Sequence, residues 1–304
     1  MYDLIIIGGG PAGIAAGIYS SRKKIKSLLI TDSFGGQSIV SNKIENWIGE
    51  KEISGFELAK KLENHLKSQQ GIEILEGDLV FKVEKTENGF KVFTNNNKIF
   101  ETKYVLVASG SGHRKLNVPG EKEFEGRGIF YCATCDAPLM KNKTVAVIGG
   151  GNSGLEAVLD LISYASSIYL LEYGEKLKGD PITQEKIKSN PKVQIITLAE
   201  TIEITGESFV RELKYKDRKT NEVKELKVDG VFVEIGSVPN SFLVKDLINL
   251  NNFGEIIVDP KTQQTSLFGI WAVGDVTDFP YKQNNIAVGN AISAILNIND
   301  YLNK

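Results

Sequence analysis

Short apolar runs that alternate with glycine turns and helix-compatible segments are the main pattern of this chain. Leu4 to Ile7 is a fully apolar run of β-favouring residues, which predicts a parallel strand buried on both faces. A helix-compatible stretch from Ile14 to about Ser21 follows, and Lys26 to Ile30 predicts the next strand. Further apolar runs at Tyr104–Gly110 and Ile270–Asp275 also predict buried strands. The order of these segments predicts an α/β fold.

The strand–helix–strand succession occurs a second time in the chain. Val145 to Ile148 predicts the strand, Leu155 to about Ser163 continues as the helix, and Ser167 to Leu171 predicts the following strand. In both copies a glycine-rich segment joins the first strand to the helix. A single segment of this kind is weak evidence, because turns with several glycines are common. Two copies in the same context predict two dinucleotides bound by one chain.

The glycine segments suit a pyrophosphate bound at the start of a helix. In the first segment, Gly8 permits the tight turn, Gly10 lets the backbone approach the phosphates and Gly13 lets the helix pack on the strand. The second segment has glycines at the matching positions and two polar residues before the helix continues. Its residues are Gly149, Gly150, Gly151, Asn152, Ser153 and Gly154. Both segments are therefore predicted to contact a cofactor.

A carboxylate stands near the end of the second strand of each unit. Asp32 lies at about the distance expected for a ribose-binding acid, and a turn residue is an equally good interpretation. Glu172 directly follows Leu171 and can accept both ribose hydroxyls. It repels a 2′-phosphate by roughly 4 kcal/mol at about 4 Å and an effective dielectric constant of about 20, before screening. The second site is therefore predicted to prefer NADH to NADPH, and Lys176 and Lys178 weaken that preference if their loop folds back over the ribose.

Two other predicted strands end in residues that suit a cofactor site. Ala108 to Gly110 are small, which allows a cofactor to approach the backbone closely. Gly274-Asp275 closes the strand that begins at Ile270, and the aspartate can reach a ribityl hydroxyl of a flavin. An ordinary strand-to-turn aspartate is the alternative, and the two dinucleotide units favour the cofactor interpretation.

The only cysteines of the chain, Cys132 and Cys135, are separated by two residues. This spacing lets a dithiol close into a disulfide and reopen, and such a pair exchanges electrons with other thiols through a mixed disulfide. A zinc site is the alternative, but His65 and His113 are the only further soft ligands and neither lies at ligand spacing. A thioredoxin-type domain is a second alternative, but there the pair follows a strand, whereas here it precedes the strand at 145–148. The pair is therefore predicted to be a reversible redox centre within a larger protein.

Length and charge limit the classes of protein to which this chain can belong. A chain of 304 residues is long enough for two domains, and its net charge of −2 offers no basic face for nucleic acid or anionic lipid. Met1-Tyr2-Asp3 leads straight into the first strand without a basic leader, and no apolar stretch approaches the roughly 20 residues of a membrane helix. We expect a soluble cytoplasmic protein that binds neither nucleic acid nor membrane.

Together these motifs resemble those of the low-molecular-weight thioredoxin reductases and, more closely, of the reductase portion of the alkyl hydroperoxide reductase flavoprotein subunit. The similarity extends over essentially all 304 residues. The segments that carry it are Gly8–Gly13, Gly35-Gly36-Gln37, Ile44-Glu45-Asn46-Trp47, Cys132-Ala133-Thr134-Cys135-Asp136, Gly149–Gly154, Gly274-Asp275 and Tyr281-Lys282-Gln283. So many motifs in the same order and at the same spacing argue against a chance match.

The resemblance implies two Rossmann-like dinucleotide-binding domains, with the nicotinamide domain inserted into the FAD domain. The FAD-binding domain comprises residues 1–116 and 241–304, and the NAD(P)H-binding domain, which carries the two cysteines, comprises residues 117–240. Both crossover segments contain Pro and Gly, as linkers do. The resemblance also implies FAD in the first domain, a nicotinamide nucleotide in the second, and a homodimer.

The resemblance assigns roles to individual residues. The positions that correspond to flavin contacts of the family are Gln37, Asn46, Asp275 and Gln283. With the neighbouring residues of the same motifs, the predicted FAD-side set is Gly8, Gly10, Pro11, Ala12, Gly13, Asp32, Gly36, Gln37, Asn46, Ala108, Gly110, Gly274, Asp275, Lys282 and Gln283.

The resemblance also separates the roles of the redox residues. Cys135 is implied to face the flavin, and Cys132 is implied to be the exposed thiolate that attacks the partner's disulfide. Asp136 is implied to protonate the leaving thiolate, a role for which burial raises the pKa of a carboxyl. A helix N-cap is the alternative role for Asp136, and the two roles can coexist.

Two departures from the family bear on the donor and the acceptor. NADPH-dependent members carry an arginine-rich stretch after the second strand of the nicotinamide domain, whereas residues 172–178 contain no arginine. Members without these arginines include NADH users and some that accept electrons from ferredoxin. The flavoprotein subunit has an extra N-terminal dithiol domain, and this chain starts at its first FAD strand. We therefore expect the acceptor to be a separate protein.

We predict an FAD-dependent, NADH-preferring disulfide reductase that acts on a thioredoxin-, glutaredoxin- or peroxiredoxin-type protein. The same dithiol chemistry fed by ferredoxin is the nearest alternative. A peroxide-forming NADH oxidase belongs to another reaction class, and the cysteines argue against it. A flavoprotein that reports thiol state to a binding partner is the non-enzyme alternative, and two intact glycine loops argue for turnover instead.

Overall fold

The computed structural model describes residues 1–41 and 44–304. The strands are β1 (Tyr2–Ile7), β2 (Ser27–Thr31), β3 (Ile72–Glu76), β4 (Val80–Thr86), β5 (Gly89–Thr94), β6 (Ile99–Val107), β7 (Ser111–His113), β8 (Ile129–Phe130), β9 (Thr144–Ile148), β10 (Ser167–Leu171), β11 (Val193–Ile196), β12 (Ala199–Gly206), β13 (Val210–Asp217), β14 (Val223–Lys227), β15 (Gly230–Val233), β16 (Ser237–Pro239) and β17 (Ile270–Ala272). The α-helices are α1 (Pro11–Arg22), α2 (Gly55–Lys67), α3 (Ala133–Asp136), α4 (Asn152–Ile162), α5 (Pro181–Lys188) and α6 (Asn284–Leu302). Short 3-10 helices lie at Gly36–Val40, Ala137–Met140 and Gly274–Val276.

The chain forms two compact units, each with its own sheet and core. The first unit comprises Met1–Ile39, Trp47–Gly112 and Val238–Lys304, and the second comprises Val40–Asn46 and His113–Ser237. The long segment of the second unit therefore interrupts the first. Strands β7 and β16, which lie where the chain passes from one unit to the other, pair as a two-stranded sheet.

The first unit is built on a sheet with the order β3-β2-β1-β6-β5-β4, in which β17 also pairs with β6. Strand β1 pairs in parallel with β2 on one side and β6 on the other. Its side chains alternate between two cores. Leu4 and Ile6 pack with α1 and α6, whereas Ile5 and Ile7 pack with β4, β5 and residues 243–256. Because both faces are covered, the residues from Leu4 to Ile7 are all apolar.

The second unit repeats this plan with different covering elements. Its main sheet is parallel and has the order β11-β10-β9-β15-β8. Strand β9 takes the place of β1, since Val145 and Val147 pack with α4 while Ala146 and Ile148 face another core. That other core is formed with the antiparallel sheet β12-β13-β14. Each unit therefore places a glycine segment between a central strand and a covering helix.

The predicted fold class is confirmed as α/β with two Rossmann-like dinucleotide-binding folds, one inserted into the other. Helices α1 and α4 begin at Pro11 and Asn152, three residues before the predicted Ile14 and Leu155, because the last residues of each glycine segment are already helical. The predicted boundaries between the FAD-binding and the NAD(P)H-binding domain, at residues 116/117 and 240/241, stay predictions. Within the described part of the chain, no helix combines the length and the apolar character needed to cross a membrane.

Candidate nucleotide sites and redox centre

Two close backbone contacts, which exclude any side chain, shape the glycine segment between β1 and α1. Gly8 has a φ of +116°, and a Cβ there would lie 2.3 Å from the carbonyl oxygen of Ala108. A Cβ at Gly13 would lie 1.9 Å from the carbonyl oxygen of Gly8. At Gly10 the nearest atom would be the Cα of Gly36 at 3.8 Å, an ordinary contact. Gly8 and Gly13 therefore hold the turn and the helix against the sheet, and Gly10 faces space that a phosphate can enter.

The glycine segment of the second unit has the same construction. Gly149 has a φ of +119°, and its Cβ would lie 2.2 Å from the carbonyl oxygen of Glu234. A Cβ at Gly154 would lie 1.8 Å from the carbonyl oxygen of Gly149, whereas a Cβ at Gly151 would meet nothing within 4 Å. The same two close approaches and the same open position occur in both units. Both loops therefore have the shape of a dinucleotide cradle.

Both loops lead into helices whose first turns have no side-chain cap. Helix α1 starts at Pro11 after Gly10, helix α4 starts at Asn152 after Gly151, and neither cap residue makes a side-chain hydrogen bond. The first backbone N–H groups of a helix have no intrahelical partner and attract anions. The open glycine positions and these N–H donors together fit the phosphates of FAD in the first unit and of a nicotinamide nucleotide in the second.

A cavity of about 470 Å³ lies beside the first loop, within the size range of small-molecule sites. The predicted residues that line it are Gly8, Gly10, Pro11, Ala12, Asp32, Gly36, Gln37, Ala108, Gly110, Gly274 and Asp275. They come from separate motifs of the sequence and all belong to the first unit. Gly13 contributes by packing α1 on the loop and does not line the cavity.

The cavity also has polar lining residues that the sequence pattern does not reveal. Asp78 is buried, and its carboxylate accepts hydrogen bonds from the Thr94 hydroxyl at 2.8 Å and the Leu79 backbone N–H at 3.0 Å. Burial acts to raise the pKa of Asp78, but hydrogen bonds outweigh it and hold the pKa below its ordinary value. The Ser109 hydroxyl donates to the Asn240 carbonyl at 2.8 Å, and the Asn240 amide donates to the Ser109 carbonyl at 2.9 Å. Contacts between residues so far apart in the chain leave no local signal.

The segment before α6 carries Asp275 and two more residues of the predicted FAD set, Lys282 and Gln283. Burial raises the pKa of the Asp275 carboxyl, and the positive charge of Lys282 offsets part of that rise. The Lys282 ammonium pairs with Glu255 at 2.9 Å. Gln283 directly precedes α6, and Asn46 falls in the second unit. The flavin contacts of Gln283 and Asn46 stay predictions.

Glu172, the acid predicted to contact the ribose of the second nucleotide, already binds the backbone. Its two carboxylate oxygens accept the N–H groups of Gly150 and Gly174, each at 2.7 Å, and the residue is buried. The Lys178 ammonium lies 3.8 Å from the carboxylate, and the Lys178 N–H donates to the Gly150 carbonyl at 2.8 Å. The loop therefore folds back onto the glycine segment, and its effect on the choice between NADH and NADPH stays a prediction. Each carboxylate oxygen still has a second acceptor site.

Cys132 and Cys135 form a disulfide at the start of α3, with their Cα atoms 5.3 Å apart and both residues half-buried. The next residue, Asp136, is 5 % exposed, and its Oδ1 atom has no hydrogen-bond partner among the described residues. Burial raises the pKa of the Asp136 carboxyl to about 7. Asp136 stands at the N-cap position of the 3-10 helix Ala137–Met140, but its side chain makes no capping hydrogen bond. Residues 1–41 and 44–304 contain no cluster of three or more potential metal ligands.

Two carboxylates of the second unit hold the dithiol helix α3 next to the nucleotide loop. The Thr134 hydroxyl donates to Asp160 on α4 at 2.9 Å. Glu234, which follows β15, accepts a hydrogen bond from the Ser153 hydroxyl, and the backbone N–H of Ala133 lies near enough to its carboxyl to lower the pKa. One side chain therefore lies next to both the start of the dithiol helix and the start of the nucleotide-binding helix.

The sequence contains a signal for Glu234 that the glycine and cysteine motifs do not include. The apolar run Val231–Val233 ends in a carboxylate, as the run Tyr169–Leu171 ends in Glu172. Both strands are parallel neighbours of β9, so both carboxylates come to the edge of the sheet where the glycine loop lies. The contact with Ala133 had no such signal, because the two residues are distant in the chain.

Comparison with known proteins adds a family assignment. The family described as pyridine nucleotide-disulphide oxidoreductase matches residues 2–292. An alkyl hydroperoxide reductase protein of Staphylococcus aureus is 42% identical over 301 residues, which are 99% of this chain and 59% of that protein. The chain therefore spans about three-fifths of the length of the curated relatives it matches.

Solved structures with the same fold include thioredoxin reductases. The thioredoxin reductase from Streptococcus pyogenes aligns with a TM-score of 0.92 and 34% identity, over 100% of this chain and 98% of that chain. The thioredoxin reductase from Giardia duodenalis aligns with a TM-score of 0.91 and 28% identity, over 100% and 99%. The resemblance stated from the motifs is confirmed, and the family implies FAD and a pyridine nucleotide as cofactors. This chain belongs to the pyridine nucleotide-disulphide oxidoreductase family.

Proposed function

We propose that this chain is an FAD-dependent disulfide reductase that takes electrons from NADH and passes them to a thioredoxin- or glutaredoxin-like protein. The observation that carries the proposal is the Cys132–Cys135 disulfide with the buried acid Asp136 beside it, in the unit that holds the second glycine loop. A structural disulfide has no use for an adjacent acid whose pKa is close to neutrality, whereas thiol–disulfide exchange requires proton transfer.

The residues of the first unit provide the flavin site. The N–H groups at the start of α1 and the open face of Gly10 receive the pyrophosphate, and Asp275 accepts a ribityl hydroxyl. FAD, when bound, supplies the two-electron exchange between the nicotinamide nucleotide and the Cys132–Cys135 disulfide. The loop from Gly149 to Gly154 holds the nicotinamide nucleotide in this proposal.

The dithiol of the second unit carries out the exchange with the acceptor. In the reduced chain the Cys132 thiolate attacks the acceptor's disulfide, forms a mixed disulfide and displaces one acceptor thiolate. Asp136 protonates that thiolate, since a pKa of about 7 leaves its carboxyl partly protonated near neutral pH. The Cys135 thiolate then attacks the Cys132 Sγ atom, which restores the intramolecular disulfide and releases the second acceptor thiolate, and this thiolate takes its proton from solvent.

NADH is the donor that we propose, on the strength of Glu172. A buried carboxylate bonded to the glycine loop cannot move away from a 2′-phosphate as an exposed side chain does. Lys178 reduces the repulsion but is mostly exposed, and exposed ion pairs contribute only about 0–1 kcal/mol. The carboxylate therefore outweighs the lysine.

The acceptor and the assembly belong to the same proposal. The relatives named above are thioredoxin reductases and an alkyl hydroperoxide reductase protein, which supports a small thioredoxin-, glutaredoxin- or peroxiredoxin-type acceptor. We expect a homodimer in the cytoplasm, where thiols are kept reduced and the only two cysteines of this chain serve a reversible redox pair.

An anaerobic titration of the FAD-loaded protein tests the donor. The flavin absorbance is followed while NADH, NADPH or reduced ferredoxin is added in separate experiments. The proposal predicts bleaching by NADH at lower concentration than by NADPH. Bleaching by ferredoxin with no response to NADH would overturn the donor and favour the ferredoxin-fed alternative.

A further inference from the structure

Glu234 connects the two functional parts of the second unit. It follows β15 at the edge of the sheet, next to the loop between β9 and α4. The Ser153 hydroxyl, at the second residue of α4, donates to its carboxylate. The backbone N–H of Ala133, the first residue of α3 and the neighbour of Cys132, lies near enough to the carboxyl to lower its pKa. The sequence pattern assigned no role to Glu234.

A nucleotide phosphate at the start of α4 competes with Glu234 for the Ser153 hydroxyl. The hydroxyl has one proton to donate, and the ionised carboxylate is acceptor-only. Ser153 is solvent-exposed, so a phosphate can reach it from the open side of the loop. Two anions around one hydroxyl repel each other, and the repulsion is strong because the carboxyl is partly withdrawn from water. A neutral carboxyl has no such conflict, since its O–H donates to the Ser153 oxygen while Ser153 donates to the phosphate.

We propose that Glu234 is a proton-coupled positioning residue of the second nucleotide site, which releases the Ser153 hydroxyl to a nucleotide phosphate by taking up one proton. The inference rests on the proposed function in one respect, namely that the loop from Gly149 to Gly154 binds a nicotinamide dinucleotide. The protein with an ionised Glu234 binds the nucleotide and one proton. The product is the complex with a neutral Glu234 carboxyl. The contact with the Ala133 N–H persists in both states, because a carboxylic acid retains an acceptor oxygen.

The surroundings of Glu234 favour such a change near neutral pH. The pKa of the Glu234 carboxyl is raised to about 7, and burial is the largest cause. The Ser153 hydroxyl and the Ala133 N–H act to lower the pKa, and the carboxylates of Asp160 and Glu156 on α4 act to raise it. Asp136 is the titratable side chain of α3. The ionised fraction of Glu234 therefore grows between pH 6 and pH 8, and nucleotide affinity falls over the same interval.

Isothermal titration calorimetry of the FAD-loaded, oxidised chain with NAD⁺ tests this proposal without any turnover. Titrations at each pH in two buffers of different ionisation enthalpy give both the Kd and the number of protons taken up. We expect uptake to rise from about 0.1 proton at pH 6 to about 0.9 at pH 8, with the Kd about tenfold higher at pH 8. The Glu234→Gln variant, which is neutral at every pH, should bind with no proton uptake and with a Kd that does not change over this range.

Glu156→Gln is the matched control. Its carboxylate lies on α4, as Ser153 does, and acts on Glu234 only through its charge. This variant should keep the proton uptake, with its midpoint moved to slightly lower pH. A wild-type Kd that is constant from pH 6 to pH 8, with no uptake, would overturn the role of Glu234 and leave the proposed donor intact. Absence of NAD⁺ and NADP⁺ binding at every pH would overturn the donor assignment and this inference together.

Discussion

Three carboxylates of the second unit differ in what their oxygen atoms contact. Glu172 holds two backbone N–H groups, and Glu234 holds the Ser153 hydroxyl and lies near the Ala133 N–H. Asp136 has an oxygen with no partner among the described residues. Hydrogen-bond donors stabilise the ionised form, and burial without donors favours the neutral form. Asp136 is therefore suited to proton transfer.

Replacing Asp136 with asparagine should stabilise the chain at alkaline pH. Its pKa is raised to about 7 by burial, so between the unfolded value and pH 7 the native state binds more protons than the unfolded state. Stability then falls as the pH rises through this window, and the variant escapes the loss. We expect a gain in the free energy of unfolding of on the order of 2–4 kcal/mol at pH 8, measured by denaturant unfolding.

The same variant provides its own control at acid pH. The carboxyl is mostly protonated in both states near pH 3, which lies below the pKa of each state, so the two proteins should unfold alike there. Thiol–disulfide exchange with an oxidised thioredoxin should meanwhile slow by about 10²–10⁴-fold, the usual contribution of a general acid. A difference in stability between the two proteins that is the same at pH 3 and at pH 8 would show that Asp136 is not a buried acid.

Glu172→Gln should shift the donor preference toward NADPH. The amide keeps one acceptor for the backbone of the glycine loop and loses the charge that repels a 2′-phosphate. We expect the ratio of kcat/KM for NADH to that for NADPH to fall by about tenfold or more, a part of the roughly 4 kcal/mol that an unscreened charge allows.

Lys178→Ala tests the other partner of the contact between Lys178 and Glu172. Its ammonium lies 3.8 Å from Glu172 and is mostly exposed, so its removal should raise the NADH preference by no more than about fivefold. If both variants leave the ratio unchanged, donor preference resides elsewhere in the loop.

At the scale of elements, the glycine segment before α4 gives a prediction that compares two of its glycines, Gly154 and Gly151. A Cβ at Gly154 would lie 1.8 Å from the Gly149 carbonyl oxygen, so Gly154→Ala forces α4 away from the sheet. We expect a loss of at least about 1–3 kcal/mol and a lower midpoint of thermal unfolding. A Cβ at Gly151 meets nothing within 4 Å, so Gly151→Ala should keep that midpoint and weaken NAD⁺ binding.

The opposite results would contradict the roles given to Gly154 and Gly151. Unchanged unfolding of Gly154→Ala would mean that the helix does not pack through this position. Tight NAD⁺ binding by Gly151→Ala would mean that the nucleotide backbone does not approach there.

The elements that the sequence predicts are those whose cause is local. β1 and β9 are apolar because both of their faces are covered, and the glycines of each loop are required by contacts within a few residues or with the adjoining strand. Such causes leave a visible pattern in a single sequence. The hairpin β4–β5 and the sheet β12-β13-β14 gave no prediction. Burial along β4 and β13 does not alternate strictly, and the pairing of each with its neighbour contains a shift in register.

The contacts that the sequence does not reveal join residues that are distant in the chain. Ser153 and Glu234 are 81 positions apart, and Ser109 and Asn240 are 131 apart. Ser153 and Ser109 lie in segments that the sequence predicts to contact a cofactor, but their hydrogen-bond partners are identified only when the fold brings the distant segments together. The cysteine pair and the carboxylate Glu172, in contrast, are recognisable from their own spacing.

At the scale of the whole molecule, the two units separate two kinds of chemistry. The first unit has the cavity lined by the FAD motifs, and the second has the second glycine loop, the disulfide and the buried acids. Each unit has its own apolar clusters, so each site is built on an independent core. The proposed transfer of electrons from NADH to a separate protein uses residues of both units.

The central claim is that electrons from NADH leave this chain through Cys132 and Cys135. The most direct measurement is anaerobic reduction of oxidised thioredoxin by the FAD-loaded chain, with NADH consumption and new thiols counted together. The account predicts one disulfide reduced for each NADH oxidised, and loss of thiol formation in both Cys132→Ser and Cys135→Ser. NADH consumption without new thiols, or thiol formation that survives in both variants, would contradict it.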